Sequence, residues 1–214
     1  MVHWYTWMKK PGVIMMLVLS VNTSGYVLYR VETGNFQIVS PGKVYRSGQM
    51  DETQWTDHIQ KYAIKSLLNL RGEHPSSRWY HQEIRLAAKL GVAHYDVQIS
   101  ASREVDNETL DTILAIMRQS PKPLLIHCMS GADRSDIIAA VYLFAIEGQR
   151  AEAASHQLSL IYGHFPYLFS KTGAMDRSFW RYVDRQSHGS FGTACPVPIV
   201  CPERVNSQHR VRLV

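Results

Sequence analysis

One stretch constrains this chain more than any other: Leu124-Leu125-Ile126-His127-Cys128-Met129-Ser130-Gly131-Ala132-Asp133-Arg134-Ser135. A short apolar run ends in His-Cys, a loop follows, and Arg-Ser opens a strongly apolar run over residues 137–146. The pattern reads as strand, loop and buried helix.

A helix N-terminus presents unpaired N–H groups and the positive end of its dipole, so it attracts anions. A cysteine just ahead of it, Cys128, has its thiolate form favoured there. Gly131 lets the backbone curl so that successive N–H groups point inward. Arg134 adds a planar fork that matches two phosphate oxygens. The set suits attack on a bound phosphate through a phosphocysteine intermediate. Two other readings compete: a buried, inert cysteine, and a sulfurtransferase-like loop. The arginine six positions after the cysteine favours phosphate.

His127-Cys128-x-x-Gly131-x-x-Arg134-Ser135 resembles the signature loop of the cysteine-based protein tyrosine phosphatase superfamily, in its bacterial dual-specificity-like branch. Tyr45-Arg46-Ser47-Gly48-Gln49 resembles the N-terminal segment of bacterial phosphatases of that branch. The resemblance covers roughly residues 35–183 and implies an α/β fold, a central mostly parallel sheet flanked by helices. It implies Cys128 as nucleophile and Arg134 as the clamp on two phosphate oxygens. Met129, Ser130, Gly131, Ala132 and Ser135 would form the phosphate cradle, with Ser135 also helping the thiolate to leave. The implied activity is hydrolysis of phosphotyrosine, and of phosphoserine or phosphothreonine, in proteins. Phosphoinositides or other small phosphoesters are the alternative substrates, and an inactive phosphate-binding module is the alternative role. This chemistry requires no metal or other cofactor.

The leaving group needs a proton. In similar enzymes an Asp on a separate loop supplies it, about thirty residues before the Cys. Asp96 fits that count but falls inside a strand expected over residues 92–99, and the following loop offers only Glu104. Asp133 is the preferred acid, because Cys-x-x-Gly-x-Asp-Arg resembles the loop of certain bacterial tyrosine phosphatases and myotubularin-type lipid phosphatases. Asp136 stands where similar phosphatases have Gly; it suits the helix dipole but brings negative charge toward a phosphate site. His127 reads as an organiser of the loop. The inner positions Met129, Ser130 and Ala132 carry no cation, which favours a phosphoprotein or small phosphoester over a polyphosphoinositide.

Around the loop, short strands are expected at Ile38-Val39 and Val44-Tyr45 and a buried strand over 65–70. Helices are expected over 51–62, 78–90, 106–117 with Asp106 as cap, 151–162 and 174–183. Arg71 and Glu73, on the turn after the third strand, are candidate substrate-side residues, a solvated turn being the alternative.

The N-terminus is aromatic, then basic, then apolar: Trp4, Tyr5 and Trp7, then Lys9 and Lys10, then residues 13–21. Asn22-Thr23-Ser24-Gly25 interrupts it before Tyr26-Val27-Leu28-Tyr29. Residues 1–30 read as a signal-anchor or signal peptide, with an N-terminal strand or core helix as the alternative. As an anchor it makes the membrane a partner, keeps Lys9 and Lys10 cytoplasmic and puts the catalytic domain on the extracytoplasmic side. The catalytic domain is expected over residues 35–185. Residues 186–214 read as a poorly ordered tail in which Cys195 and Cys201 would pair in an oxidising compartment or stay idle. A net charge of +5 without any Lys/Arg block argues against a nucleic-acid partner.

Overall fold

Runs such as Ser66-Leu67-Leu68-Asn69 and Leu124-Leu125-Ile126-His127 leave no side of a strand for water. In the computed structural model both are fully buried in the middle of a sheet. The structure describes residues 11–167 and 170–189. Strands β1 (Gln37–Ser40), β2 (Val44–Ser47), β3 (Ser66–Asn69), β4 (Ala93–Asp96) and β5 (Leu124–His127) lie in the order β1-β2-β5-β3-β4. β1 and β2 are antiparallel across the Pro41-Gly42 turn, and the remaining pairings are parallel. The helices are α1 (Pro11–Glu32), α2 (Glu52–Lys61), α3 (Arg78–Leu90), α4 (Asn107–Gln119), α5 (Arg134–Ala145), α6 (Ala151–Ser155) and α7 (Gly173–Gly189).

Pleating divides the core in two. Tyr45, Leu67 and Leu125 meet Trp55 and Ile59 of α2 and Leu86 and Ala87 of α3. Val44, Leu68, Leu124 and Ile126 meet Leu110, Ile113, Leu114 and Met117 of α4, Ile137, Ile138, Val141 and Leu143 of α5, and Phe179 of α7. Each of those α4 side chains contributes about 2 kcal/mol by leaving water. Helix ends follow local chemistry. Asp51 and Gln54 form a reciprocal capping box on α2. Asp106 accepts from Thr109 N at the start of α4, and Gly91 turns the chain off α3 at φ 66°.

The structure departs from the sequence reading in two places, the segment 151–162 and the end of the last helix. Residues 151–162 are not one helix: α6 stops at Ser155, and a 3₁₀ turn forms at Leu160–Tyr162. Ser155, His156 and Ser159 are weak helix formers, and Leu160 and Ile161 stay exposed, so no packing stabilises a longer helix. α7 continues to Gly189, past residue 186. α1 is continuous through Asn22 and Thr23, whose side chains bond back to Val18 O and Leu19 O. Trp4, Tyr5, Trp7, Lys9, Lys10, Cys195 and Cys201 lie outside the described residues.

The register lines up Ser47, His127, Asn69 and Asp96 at the carboxyl ends of the four parallel strands. All four are buried. This is the edge at which open α/β sheets build their sites.

Candidate active site

Cys128 follows directly on β5 and is completely buried. Its thiol lies 3.2 Å from Ala132 O, to which it donates, and 3.6 Å from Ser135 Oγ. The intervening loop is held from outside by its carbonyls. Gln49 N donates to Met129 O (3.1 Å), and Asn35 Nδ2 donates to Ser130 O (2.9 Å) and Gly131 O (2.7 Å). In a planar trans peptide the C=O and N–H point opposite ways. Tying three successive carbonyls outward therefore turns the N–H groups of Ser130, Gly131 and Ala132 inward, as an anion nest requires. Gly131 sits at φ 69°, and a Cβ there would lie 2.7 Å from the Ser47 carbonyl carbon and 2.8 Å from Asn35 Nδ2. Glycine is needed both for the conformation and for the close approach.

Arg134 is the first residue of α5, half-buried on the same loop. Arg71, from the turn after β3, comes to this side. Its guanidinium lies 3.5 Å from the Trp79 ring centroid and donates to Gln49 Oε1 at 2.8 Å. Burial and then the like charge of Arg134 hold Arg71 below the usual arginine value. Glu73 is exposed on that turn.

Beneath the loop lies a buried polar brace. Glu83 Oε1 accepts from Nε2 of both His94 and His127 at 2.8 Å, and Gln49 donates to Glu83 Oε2 at 2.9 Å. Burial raises the Glu83 carboxyl, but the two imidazoles outweigh it and hold Glu83 ionised. Burial lowers His94, yet its bonds to Asp96 and Glu83 push it up to about 9. The donor atoms of Glu83, His94 and His127 lie within 4.8 Å of one another and form a conceivable metal cluster. Both facing nitrogens are satisfied by Glu83, which makes the trio a hydrogen-bonded brace, while Nδ1 of His127 is buried without a hydrogen-bond partner.

The three acid candidates part company. Asp96 accepts from Asn69 Nδ2 (2.7 Å) and Tyr80 OH (2.7 Å) at the end of β4. Burial raises it, and bonds from His94, Tyr80 and Asn69 more than reverse this, leaving it below the usual value. Glu104 is paired with Arg177 (2.7 Å) and Arg181 at the surface, and these partners lower its carboxyl. Asp133 stays on the signature loop at φ 55°, where its Oδ1 meets His164 Nδ1 at 2.7 Å. It makes no side-chain cap to α5.

Asp136 does not stand bare beside the loop. It forms an ion pair with Arg46 of β2, both fully buried. Arg46 also lies 4.2 Å from the Tyr162 ring centroid and donates to Gly131 O at 3.4 Å. The charge that the sequence places near the signature loop is thus neutralised by Arg46, for which the sequence alone gave no pairing. Arg46 and Gln49 fall within the Tyr45–Gln49 segment that carried the resemblance. Asn35 had no signal beyond marking the start of the domain.

A cavity of about 550 Å³ adjoins the loop. It is lined by Tyr26 and Arg30 of α1, Asn35, Gln49, and Met129, Ser130 and Ala132. Cys128 lies beneath the loop rather than on the cavity wall.

Residues 33–167 match the family described as PTP-SAK: Swiss Army Knife protein, DSP-PTPase phosphatase domain. The chain belongs to this family. It carries a DSP-type phosphatase domain, and the resemblance drawn from the signature loop holds at the level of the superfamily. No curated protein matches the sequence. Among solved structures, the core catalytic domain of PP-IP phosphatase SIW14 from S. cerevisiae, in complex with citrate, is similar. It has 19% identity and a TM-score of 0.54, covering 73% of this chain and 93% of that one. PTPMT1 in complex with PI(5)P has 13% identity and a TM-score of 0.53, with 71% and 98% covered. A mutant form of Tk-PTP has 18% identity and a TM-score of 0.52, with 72% and 97% covered. At these identities the likeness is one of fold, and it agrees with the mostly parallel sheet flanked by helices.

Proposed function

We propose that this PTP-SAK domain hydrolyses phosphate monoesters through a phosphocysteine. The observation that carries the reading is the loop itself. A nucleophile at its base, an arginine at its helical end and three outward-tied carbonyls form one pre-built anion site between β5 and α5. Cys128 attacks phosphorus, Arg134 holds two equatorial oxygens, and the inward N–H groups bind the remainder. Asp133 protonates the leaving oxygen, then takes a proton from the water that hydrolyses the thiophosphate, as Ser135 steadies the departing thiolate. Glu104 and Asp96 suit the acid role less well because of where they lie: Glu104 is bound by Arg177 and Arg181 at the surface, and Asp96 accepts from Asn69 and Tyr80 at the end of β4, whereas Asp133 is on the signature loop itself. Phosphotyrosine in proteins, with phosphoserine and phosphothreonine, is the first substrate class.

The full-length protein in detergent should release phosphate from p-nitrophenyl phosphate, and its Cys128→Ser variant should not. Equal rates in the two would remove the thiolate mechanism. Binding of vanadate without any turnover would leave a phosphate-binding module.

A lipid-borne phosphomonoester is the second reading, favoured by the place of α1. Pro11–Arg30 is long and apolar enough to cross a membrane, its apolar window is wholly unburied, and its last turns line the cavity beside the signature loop. Its role as an anchor, with the domain on the extracytoplasmic side by the charge of Lys9 and Lys10, belongs to this proposal.

A further inference from the structure

His164 has no exposed surface and is gripped at both ring nitrogens by carboxylates from different elements. Nδ1 lies 2.7 Å from Asp133 Oδ1 on the signature loop, and Nε2 lies 2.8 Å from Asp176 Oδ2 in the first turn of α7. Asp176 is the more exposed of the two carboxylates, its side chain 33% accessible against 19% for Asp133. A continuous hydrogen-bonded line therefore runs from the solvent side of α7 to the loop that holds Cys128. Asp133 also occupies φ 55° and ψ −83°, a conformation that residues other than glycine enter at a cost. Such strain persists where surrounding contacts over-determine it, and His164 is the side-chain contact that does so here.

We propose that His164 and Asp176 are positioning residues that hold Asp133, and the proton it delivers, over the signature loop. The inference rests on the phosphatase reading and on Asp133 as the acid. In the first step the Cys128 S–P bond forms and the ester P–O bond breaks. The leaving oxygen takes the carboxyl proton of Asp133, and the new carboxylate is stabilised by the N–H of His164. In the second step water attacks phosphorus, the P–S bond breaks to release the thiolate, and Asp133 takes the proton of that water. Throughout, Oδ1 is anchored by His164, so Oδ2 is the oxygen left to face the substrate.

Burial alone would lower the His164 imidazolium, but its bonds to Asp133 and Asp176 outweigh this and push it up to about 9. At neutral pH both ring nitrogens therefore donate. The charged groups around it are these two carboxylates and, against the neighbouring Tyr162 and Gly163, Arg30 and Arg46. Arg177, next to Asp176, is engaged with Glu104.

The test uses leaving-group dependence in the full-length protein. Phenyl phosphate needs a proton on its leaving oxygen, whereas 2,4-dinitrophenyl phosphate does not. Asp133→Asn should lower kcat/KM, which reports the first step alone, about 100-fold on phenyl phosphate and leave that of the dinitrophenyl ester within about 3-fold. His164→Gln and Asp176→Asn should show the same asymmetry at about 10-fold, and Asp176→Glu should restore most of it. Asp176→Asn, at a partly exposed position, serves where His164→Gln does not fold; thermal melting and vanadate binding report folding. Equal losses on both esters, or none on either, would overturn the proposal. A parent inactive on both esters would overturn the phosphatase reading itself, and the relay with it.

Discussion

Asn35 does its work with one amide. Its Nδ2 reaches two successive carbonyls of the signature loop, and its side chain is buried against Gly131. A carbonyl tied outward costs little, whereas a buried carbonyl without a donor costs about 1–3 kcal/mol. Asn35→Ala removes the donor from two carbonyls at once and lets their peptides rotate. The N–H groups that follow them then lose their inward aim. Vanadate affinity of this variant should fall about 10-fold or more, with a smaller drop in melting temperature. Affinity equal to the parent would show that the nest is set by Gly131 and the helix start alone. The residue lies in the turn between α1 and β1, where composition and periodicity mark only a boundary, so its role is invisible without the fold.

At the scale of elements, much was legible because each strand and helix obeys a local rule. The stripe of Leu110, Ile113, Leu114 and Met117, the Asp106 cap and the Gly91 stop were all written in residue types and spacing. Strand, loop and helix around Cys128 followed from an apolar run on either side of a turn. What could not be read was pairing between elements. Asp136 read as a liability at the phosphate site, because its partner Arg46 lies on β2, distant in sequence but next to β5 in the sheet. The segment after α6 failed for the related reason that Leu160 and Ile161 have no surface to pack against. The Arg46–Asp136 pair carries its own prediction. Burial holds Arg46 down, to about 10, so its charge is already costly there. Asp136→Asn leaves that charge without its anion and should destabilise the domain by about 3–5 kcal/mol. Joint replacement by Arg46→Met and Asp136→Leu should recover most of the loss. Urea melts of the two variants beside the parent decide it: an Asp136→Asn variant as stable as the parent would mean that the ion pair does not hold the domain together.

At the scale of the whole molecule, α1 and the domain leave no room for a linker. Tyr26 OH donates to Ile161 O at 3.0 Å and Arg30 donates to Tyr162 O at 2.7 Å, so the last turns of α1 are already part of the domain surface. The part of α1 free to enter a bilayer ends near Gly25, ahead of those contacts. A bilayer around it would meet Leu160 and Ile161, which stand 56% and 76% exposed beside Tyr26, with Phe165 and Tyr167 also exposed a few residues on. Isolated apolar side chains are ordinary at a surface, but a group of them beside a candidate span suits an interface between water and lipid. The cavity bounded by Tyr26, Arg30 and Met129 would then open at headgroup depth. Full-length protein reconstituted into vesicles should hydrolyse a phosphatidic acid in the same bilayer faster than its water-soluble short-chain analogue. Replacing both Leu160 and Ile161 with Ser should remove that excess and leave p-nitrophenyl phosphate turnover unchanged. Equal rates on the two lipids, in the parent and in the variant alike, would detach the site from the membrane surface and return the choice to soluble phosphoproteins.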